Sequence, residues 1–423
     1  MGRDATRETI EAVWRIESAR LIGGLVRIVR DFGLAEDLAQ EALVAALDGW
    51  PTAGIPERAG AWLMATAKNR AIDELRRRQR LDGKSDEVRR AVMANAARVD
   101  LDSAIDETVG DDLLRLIFVA CHPVLSKEAR VALTLRLLGG LSTEEIARAF
   151  LAPEPTIAQR IVRAKRTLAE ARVPFEVPRG PELGARLSSV LEVLYLVFNE
   201  GYAATKGDDW TRPELCEEAL RLGRILAELV PQEPEVHGLV ALMELQASRL
   251  RARLGPLGEP ILLLDQDRSR WDGLLVQRGL AALARAEALR QPLGPYTIQA
   301  AIAACHARAR AAEETDWNRI VALYDALVEL TQSPVVELNR AVAVSKAFGP
   351  ATALELVDAL TNEPALASYH LVPSVRGDLL ARLGRHDEAR AEFERAARMA
   401  QNVRERDLLL ARAKMPRNDG EPS

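Results

Sequence analysis

The sequence predicts an all-α protein: two small N-terminal helical domains followed by a long TPR-like helical solenoid. Apolar residues recur at helical spacing along most of the chain, and no run of alternating β-branched residues appears. Aromatic residues make up only 4% of the chain, against abundant Ala, Leu, Arg and Glu, a composition that favours helices. Gly and Pro punctuate the periodic stretches. At 423 residues the chain exceeds one ordinary core, so several domains are expected.

Hydrophobic residues at 48% and charged residues at 28% describe a water-soluble chain. The net charge of −5 gives no global sign of nucleic-acid binding, but a basic module can sit inside an acidic average. Cys121, Cys216 and Cys305 are odd in number and far apart, which argues against a disulfide framework and for a reducing cytoplasm. Charges begin at Arg3 with no apolar segment behind them, so no signal peptide is expected. Met1-Gly2 with Thr6 matches the myristoylation pattern, which is too short to outweigh the other signals. The most apolar stretch, Leu187 to Phe198, contains Glu192 and is too short to span a bilayer. It reads as a core helix, and no membrane association is expected.

Four segments follow. Residues 9–80 form a first helical unit. Residues 81–110, with Asp100, Asp102, Asp106 and Glu107, read as an acidic linker. Residues 111–177 form a second helical unit that closes on the Pro-rich stretch Val173 to Pro178. Residues 180–423 form one array of helices. There Gly377, Gly384, Ala389, Phe393 and Ala396 have the spacing of a tetratricopeptide (TPR) unit, whose period is about 34 residues. Ala341, Ala353 and Val357 fit it more weakly one repeat earlier. Helix pairs of this kind stack to bury their apolar faces, and their concave side usually takes a protein or peptide ligand.

The second unit carries the strongest local signal. Ser142 followed by Glu145 is a capping box, and Ile146, Ala147 and Phe150 form an apolar face behind it. Leu151-Ala152-Pro153 breaks this helix, and Pro155 suits the first turn of the next. In that next helix Ile157, Ile161, Ala164 and Leu168 form a buried stripe, opposite Thr156, Gln159, Arg160, Arg163 and Arg166. A short helix, a tight break and a second helix with a basic outer side describe a DNA-reading helix-turn-helix. An ordinary helical hairpin with a solvated basic face has the same local pattern.

In the first unit Asp37, Gln40, Glu41 and Val44 share one face of a helix, either docking a basic partner helix or simply solvated. A Gly/Pro loop is expected from Trp50 to Gly60, followed by a helix from Ala61. Between Ala61 and Arg80 six basic residues (Lys68, Arg70, Arg76, Arg77, Arg78 and Arg80) stand against Asp73 and Glu74. Ala67, Ala71 and Leu75 supply the apolar stripe and turn Asn69, Asp73, Arg76 and Arg80 outward. A basic helix behind an aromatic-bearing loop suits single-stranded DNA, with Trp50 and Trp62 either stacking on bases or anchoring the core.

Glu36-Asp37-Leu38-Ala39-Gln40-Glu41, followed by Ala67 to Arg77, closely resembles region 2 of the extracytoplasmic-function (ECF) RNA polymerase sigma factors. Leu141 to Leu168 resembles their region 4. The stretches Asn199 to Tyr202, Asp265 to Asp272, Thr315 to Trp317 and Leu338 to Ala341 resemble the subtype with a long C-terminal TPR-like extension. The resemblance implies a promoter-specificity subunit whose partners are core RNA polymerase and promoter DNA. It implies that Asp37, Gln40 and Glu41 bind polymerase. The minus-ten element would be read by Trp50, Trp62, Lys68, Asn69, Asp73, Arg76, Arg77 and Arg80, with a flipped base captured. The minus-thirty-five element would fall to Thr156, Gln159, Arg160, Arg163 and Arg166. Pro153 departs from the pattern, since a Ser-like cap often stands there, and leaves the first amide of the recognition helix less well satisfied. The extension is expected to regulate the activity.

No catalytic residue, metal or cofactor is expected. Asp265, Asp267 and Asp272 lie beside Arg268 and Arg270 and read as ion pairs that pin a loop, anchored by Trp271. His122, His237, His306, His370 and His386 are scattered. The alternative function is a helix-turn-helix regulator with a TPR sensor, acting without core polymerase; a plain TPR scaffold is a third reading.

Overall fold

The computed structural model describes residues 3–82, 105–150, 152–204, 210–256 and 258–414, with side chains described from residue 6 and not for 78–111. Of the linker expected at 81–110, residues 83–104 lie outside the described residues, as does the Met1-Gly2 pattern, whereas 105–110, with Asp106 and Glu107, are helical and open the helix that follows. Among those described, every regular element is helical, apart from one isolated bridge between Leu254 and Pro260. The chain divides into two compact units, residues 1–196 and 197–423.

Unit 1 is built on helix α1 (Arg3–Val29), whose Ile10, Trp14, Ser18, Leu21, Ile22, Leu25 and Val26 form one buried stripe. It packs against α2 (Phe32–Ala53), α3 (Ala59–Asp82) and α4 (Ile105–Ala120). Asp31 caps α2 by accepting from the Gly33 and Leu34 amides. The expected loop after Trp50 begins later, because α2 runs on through Pro51 to Ala53 and stops at Gly54, whose φ of +87° favours glycine. Helix α4 buries Leu113, Leu114 and every residue from Leu116 to Ala120, so it is the core of the unit.

Helices α5 (Lys127–Leu137), α6 (Thr143–Ala149) and α7 (Glu154–Glu170) follow. Gly140, at φ +66°, turns the chain between α5 and α6 where a Cβ would come 2.9 Å from the Ser18 hydroxyl of α1. The next helix, α8 (Pro181–Tyr202), holds the division between the units, beyond the Pro-rich stretch that reads as a domain end. Its first half belongs to unit 1. Ser189 donates to the Cys121 carbonyl at 2.6 Å, and Arg186 donates to that of Phe118 at 2.9 Å. Glu192 pairs with Lys127 at 2.5 Å and Arg130 at 3.1 Å.

Unit 2 comprises the end of α8 and then α9 (Pro213–Leu229), α10 (Pro234–Ala247), α11 (Gly273–Ala288), α12 (Pro295–Arg308), α13 (Trp317–Thr331), α14 (Pro334–Ala347), α15 (Pro350–Leu360), α16 (Leu371–Arg382), α17 (His386–Met399) and α18 (Val403–Ala413). From α12 onward each helix packs mainly on its neighbours in sequence, the pattern of a helical array. The TPR spacing has a direct basis in the α16/α17 pair. A Cβ on Gly377 would meet the Phe393 ring at 3.0 Å, and Ala389, Phe393 and Ala396 are buried. Gly384, at φ +76°, makes the turn between those helices. Asn402 caps α18 and donates to the Ala204 carbonyl at 3.2 Å, so the end of the array returns to its beginning.

One segment interrupts the array. Between α10 and α11 the chain makes only short 3₁₀ turns, at 250–252, 263–265 and 268–270. The ion pairs expected here do not form: no carboxylate among Asp265, Asp267 and Asp272 pairs with Arg268 or Arg270 among the described residues. Asp267 caps the third turn and Asp272 caps α11, accepting from the Leu274 and Leu275 amides. Arg268 reaches instead to backbone carbonyls at the end of α12.

Candidate nucleic-acid interface

The helix-turn-helix is built as its sequence dictates. Ser142 accepts from the Glu145 amide at 3.1 Å, and Glu145 accepts from the Ser142 amide at 2.7 Å. Burial raises the Glu145 carboxyl, but the Ser142 hydrogen bonds and Arg15, 3.0 Å away on α1, hold it below the usual range. In α7 Ile157, Ile161, Ala164 and Leu168 are buried, which leaves Thr156, Gln159, Arg163 and Arg166 exposed and Arg160 half-buried. Pro153 supplies no side-chain cap, as its position implies.

A cavity of about 460 Å³ runs between the start of α5 and this face, lined by Ser126, Glu128, Thr156, Gln159, Arg160 and Arg163 among others. Hydrogen bonds from its own amide and from Ser126, helped by the charge of Arg160, hold the Glu128 carboxyl below its ordinary value. Arg160 and Arg163 form no ion pair among the described residues, whereas Arg166 is engaged by Glu170 at 2.6 Å. The side of α7 nearest its N-terminus therefore presents uncommitted cations.

Helix α3 buries Leu63, Ala67 and Ala71 and exposes Asn69, Asp73, Arg76 and Arg77, as its period requires. Its charges are partly committed: Arg76 pairs with Asp73 at 3.4 Å, Arg77 with Glu74 at 2.8 Å, and Arg70 with Glu41 of α2 at 2.8 Å. Lys68 is half-buried; Arg80 lies in α3, but its side chain is outside the described residues. Trp50 needs correction. It is only 3% exposed, packed edge-on against Trp62 at 5.4 Å between ring centroids, and so anchors the core beneath a half-buried Trp62. The polar face of α2 is as expected, with Asp37, Glu41 and Val44 exposed and Gln40 half-buried.

Sequence reasoning missed one cluster. Glu36, on the buried side of α2, pairs with Arg136 of α5 at 2.6 Å and with Lys165 of α7. Its side chain is 6% exposed, and theirs 20% and 21%. Arg136 also donates to the Leu141 carbonyl at 3.1 Å, just before the helix-turn-helix. The available signal was positional: Glu36 flanks the stripe Ala35, Ala39 and Ala42, and Lys165 flanks Ile161 and Leu168.

A capped helix-turn-helix with free cations, ion-paired to a second module with a basic helix, defines a two-part DNA-reading protein. The comparisons agree. Residues 14–81 match Sigma-70 region 2, residues 115–168 match Sigma-70, region 4, and residues 186–287 match a family of unknown function (DUF6596). The ECF RNA polymerase sigma factor SigK of Mycobacterium bovis is 32% identical over 36% of this chain and 78% of its own. The probable ECF RNA polymerase sigma factor SigI of Mycobacterium tuberculosis is 27% identical over 40% of this chain, which spans 58% of that relative. An uncharacterized protein of Rhizobium meliloti is 45% identical over 91% of this chain and 90% of its own, and so shares the extension. No solved structure matches. The chain belongs to the RNA polymerase sigma factors, of the extracytoplasmic-function type.

Breaking a buried ion pair from one side leaves an uncompensated charge. Glu36→Gln is expected to lower the unfolding free energy of unit 1 by about 3 kcal/mol, read from the urea midpoint. In a background carrying both Arg136→Met and Lys165→Met the same substitution should cost much less.

Proposed function

We propose that this protein recruits core RNA polymerase, reads the minus-ten and minus-thirty-five promoter elements and initiates transcription, under the control of its C-terminal extension. The observation that carries the reading is the uncommitted cationic face of α7 on a capped helix-turn-helix, in one chain with a region 2 module. Gln159, Arg160 and Arg163 read base edges in the major groove while Arg166 neutralises phosphate. Trp62, Lys68, Asn69, Asp73, Arg76, Arg77 and Arg80 serve the minus-ten element, with Trp50 holding Trp62 from behind. Asp37, Gln40 and Glu41 form the polymerase-binding face, and Glu41 exchanges Arg70 for a partner cation on docking.

Promoter binding requires unit 1 to open. The two elements lie about 25 base pairs apart, or about 85 Å at about 3.4 Å per base pair, whereas Glu36 holds α2 directly to α7. Polymerase binding at the neighbouring Asp37 face is the natural release. The extension, which begins within α8, acts on this equilibrium, and a protein or peptide bound to its TPR-like array sets the response.

Three measurements test the proposal. Run-off transcription with bacterial core polymerase and DNA upstream of the gene should give a discrete start, lost on Arg160→Ala with Arg163→Ala. Tight duplex binding without polymerase and no transcript would favour the stand-alone regulator. Dyes on Asp48→Cys and Ala169→Cys, both exposed positions, should report at least a doubling of their separation on adding polymerase and promoter; an unchanged distance refutes the opening. A chain ending at Leu196 should give altered promoter output in cells, and unchanged output would remove the extension from the regulation.

A further inference from the structure

Among the described residues, unit 2 clusters three arginines, two buried and one half-buried, that form no ion pair with a carboxylate; of these, Arg268 feels acids nearby, Glu313 and Glu314. Arg249 and Arg253 flank the 3₁₀ turn after α10 and are 8% and 9% exposed, and half-buried Arg268 comes from the turn at 268–270. They are lined by rings. Arg253 lies 3.6 Å from the centroid of Tyr202 and 5.7 Å from that of Trp210. Arg249 is 5.8 Å from Tyr202 and from Trp271, and Arg268 is 5.0 Å from Trp271. Arg249 donates to the Gln246 side chain, and Arg268 to the carbonyls of His306 and Ala309 and the hydroxyl of Thr315. None of the three forms an ion pair among the described residues.

The surrounding polar atoms are equally unfinished. The Nε atoms of Arg249 and Arg253, Gln266 Oε1, Trp271 Nε1 and His306 Nδ1 are all buried without a hydrogen-bond partner. Burial, then the charges of Arg249 and Arg268, pushes the His306 imidazole down to about 4, so it is neutral and adds a donor or acceptor but no charge. Burial lowers the Arg249 guanidinium too, and Arg253 and Arg268 press the same way against Tyr202. An arginine does not relieve such repulsion by losing its proton, and cation–π contacts alone do not offset the desolvation of clustered charges. Trp271 also walls a separate cleft with Leu254, Arg251, Arg270 and Asp272, which neither Arg249 nor Arg253 lines.

We propose that this cluster is a binding site for a small oxyanion-bearing molecule with a flat apolar body. Its carboxylate or phosphate group is held by Arg249 and Arg253, and its body lies against the rings of Tyr202, Trp210 and Trp271 that flank them. The site lies wholly in unit 2 and uses no residue of the promoter-reading modules, so it stands or falls independently of the sigma-factor reading. It makes use of three stretches, Asn199 to Tyr202, Asp265 to Asp272 and Thr315 to Trp317, that promoter recognition leaves unexplained.

The test is calorimetric titration of the full chain with benzoate, phenyl phosphate and inorganic phosphate, at matched ionic strength in chloride buffer. Saturable one-to-one binding of benzoate or phenyl phosphate is expected, with Tm raised by about 5–10 °C at a hundred-fold excess over Kd. The preferred aromatic probe tells carboxylate from phosphate. Arg249→Met should weaken that binding at least tenfold, yet leave the ligand-free Tm at or above wild type, because an uncompensated buried charge is gone. No saturable binding of any probe by the wild-type chain overturns the proposal, and that result does not depend on any variant folding. Undiminished binding by Arg249→Met also overturns it, and inorganic phosphate binding as tightly as phenyl phosphate overturns the apolar body.

Discussion

Unit 1 depends on one buried carboxylate. Removing Glu36 from water costs several kcal/mol in effective terms, an expense offset only by well-placed cations. Arg136 and Lys165 provide them from two different helices of the second module. One acid therefore fixes α2 against both the helix that precedes the helix-turn-helix and the second helix of that motif. The physical character of this link matters. An apolar interface of the same extent would strongly favour contact, whereas an ion pair exchanged for water is close to neutral. The arrangement specifies one closed geometry without committing the modules to it, which is compatible with the opening that the proposed function requires.

The legible parts of the protein are those decided locally. The capping box, the break at Pro153 and the four-residue stripe of α7 all arise within about one helical turn of their causes, and the sequence order of residues is enough to see them. The outward face of α3 follows from Ala67 and Ala71 in the same way. What escaped was long-range or depended on helix ends. Glu36 meets its partners 100 and 129 residues away. The Pro-rich stretch before α8 looks like a domain end, but Arg186, Ser189 and Glu192 then tie that helix back to α4 and α5. Asp267 and Asp272 sit beside arginines in sequence, and adjacency suggested ion pairs. Their position just before a helical turn decided otherwise, because a carboxylate there satisfies amides that have no other acceptor. Trp50 stands where Gly and Pro suggest a loop, but α2 continues through it for another turn, which directs it inward.

Arginine occupies two contrasting environments in this chain, and the contrast separates their roles. On α7 the exposed guanidinium groups keep their hydration, cost the fold little and gain affinity from counterion release when they meet phosphate. Around Tyr202 and Trp271 the same group is stripped of water and set beside two others. Its rings supply attraction without neutralising charge. Buried Arg186 and Arg130 find a carbonyl and a carboxylate within the chain, whereas Arg249 and Arg253 have no ion pair among the described residues, which is what the proposed anion would supply.

The acidic balance of the whole chain completes the argument. A cationic face on an otherwise neutral protein would bind duplex DNA wherever it met it, since the phosphate contribution carries no sequence information. Here the net charge is −5, and much of the basic helix α3 is tied up by Asp73, Glu74 and Glu41. Arg166 meets Glu170 in an exposed pair that water weakens, and Arg160 and Arg163 are the arginines of this face without an ion pair among the described residues. Under the proposed function, the further contacts come from polymerase. On that reading, few unpaired cations on an acidic chain make promoter recognition conditional on assembly.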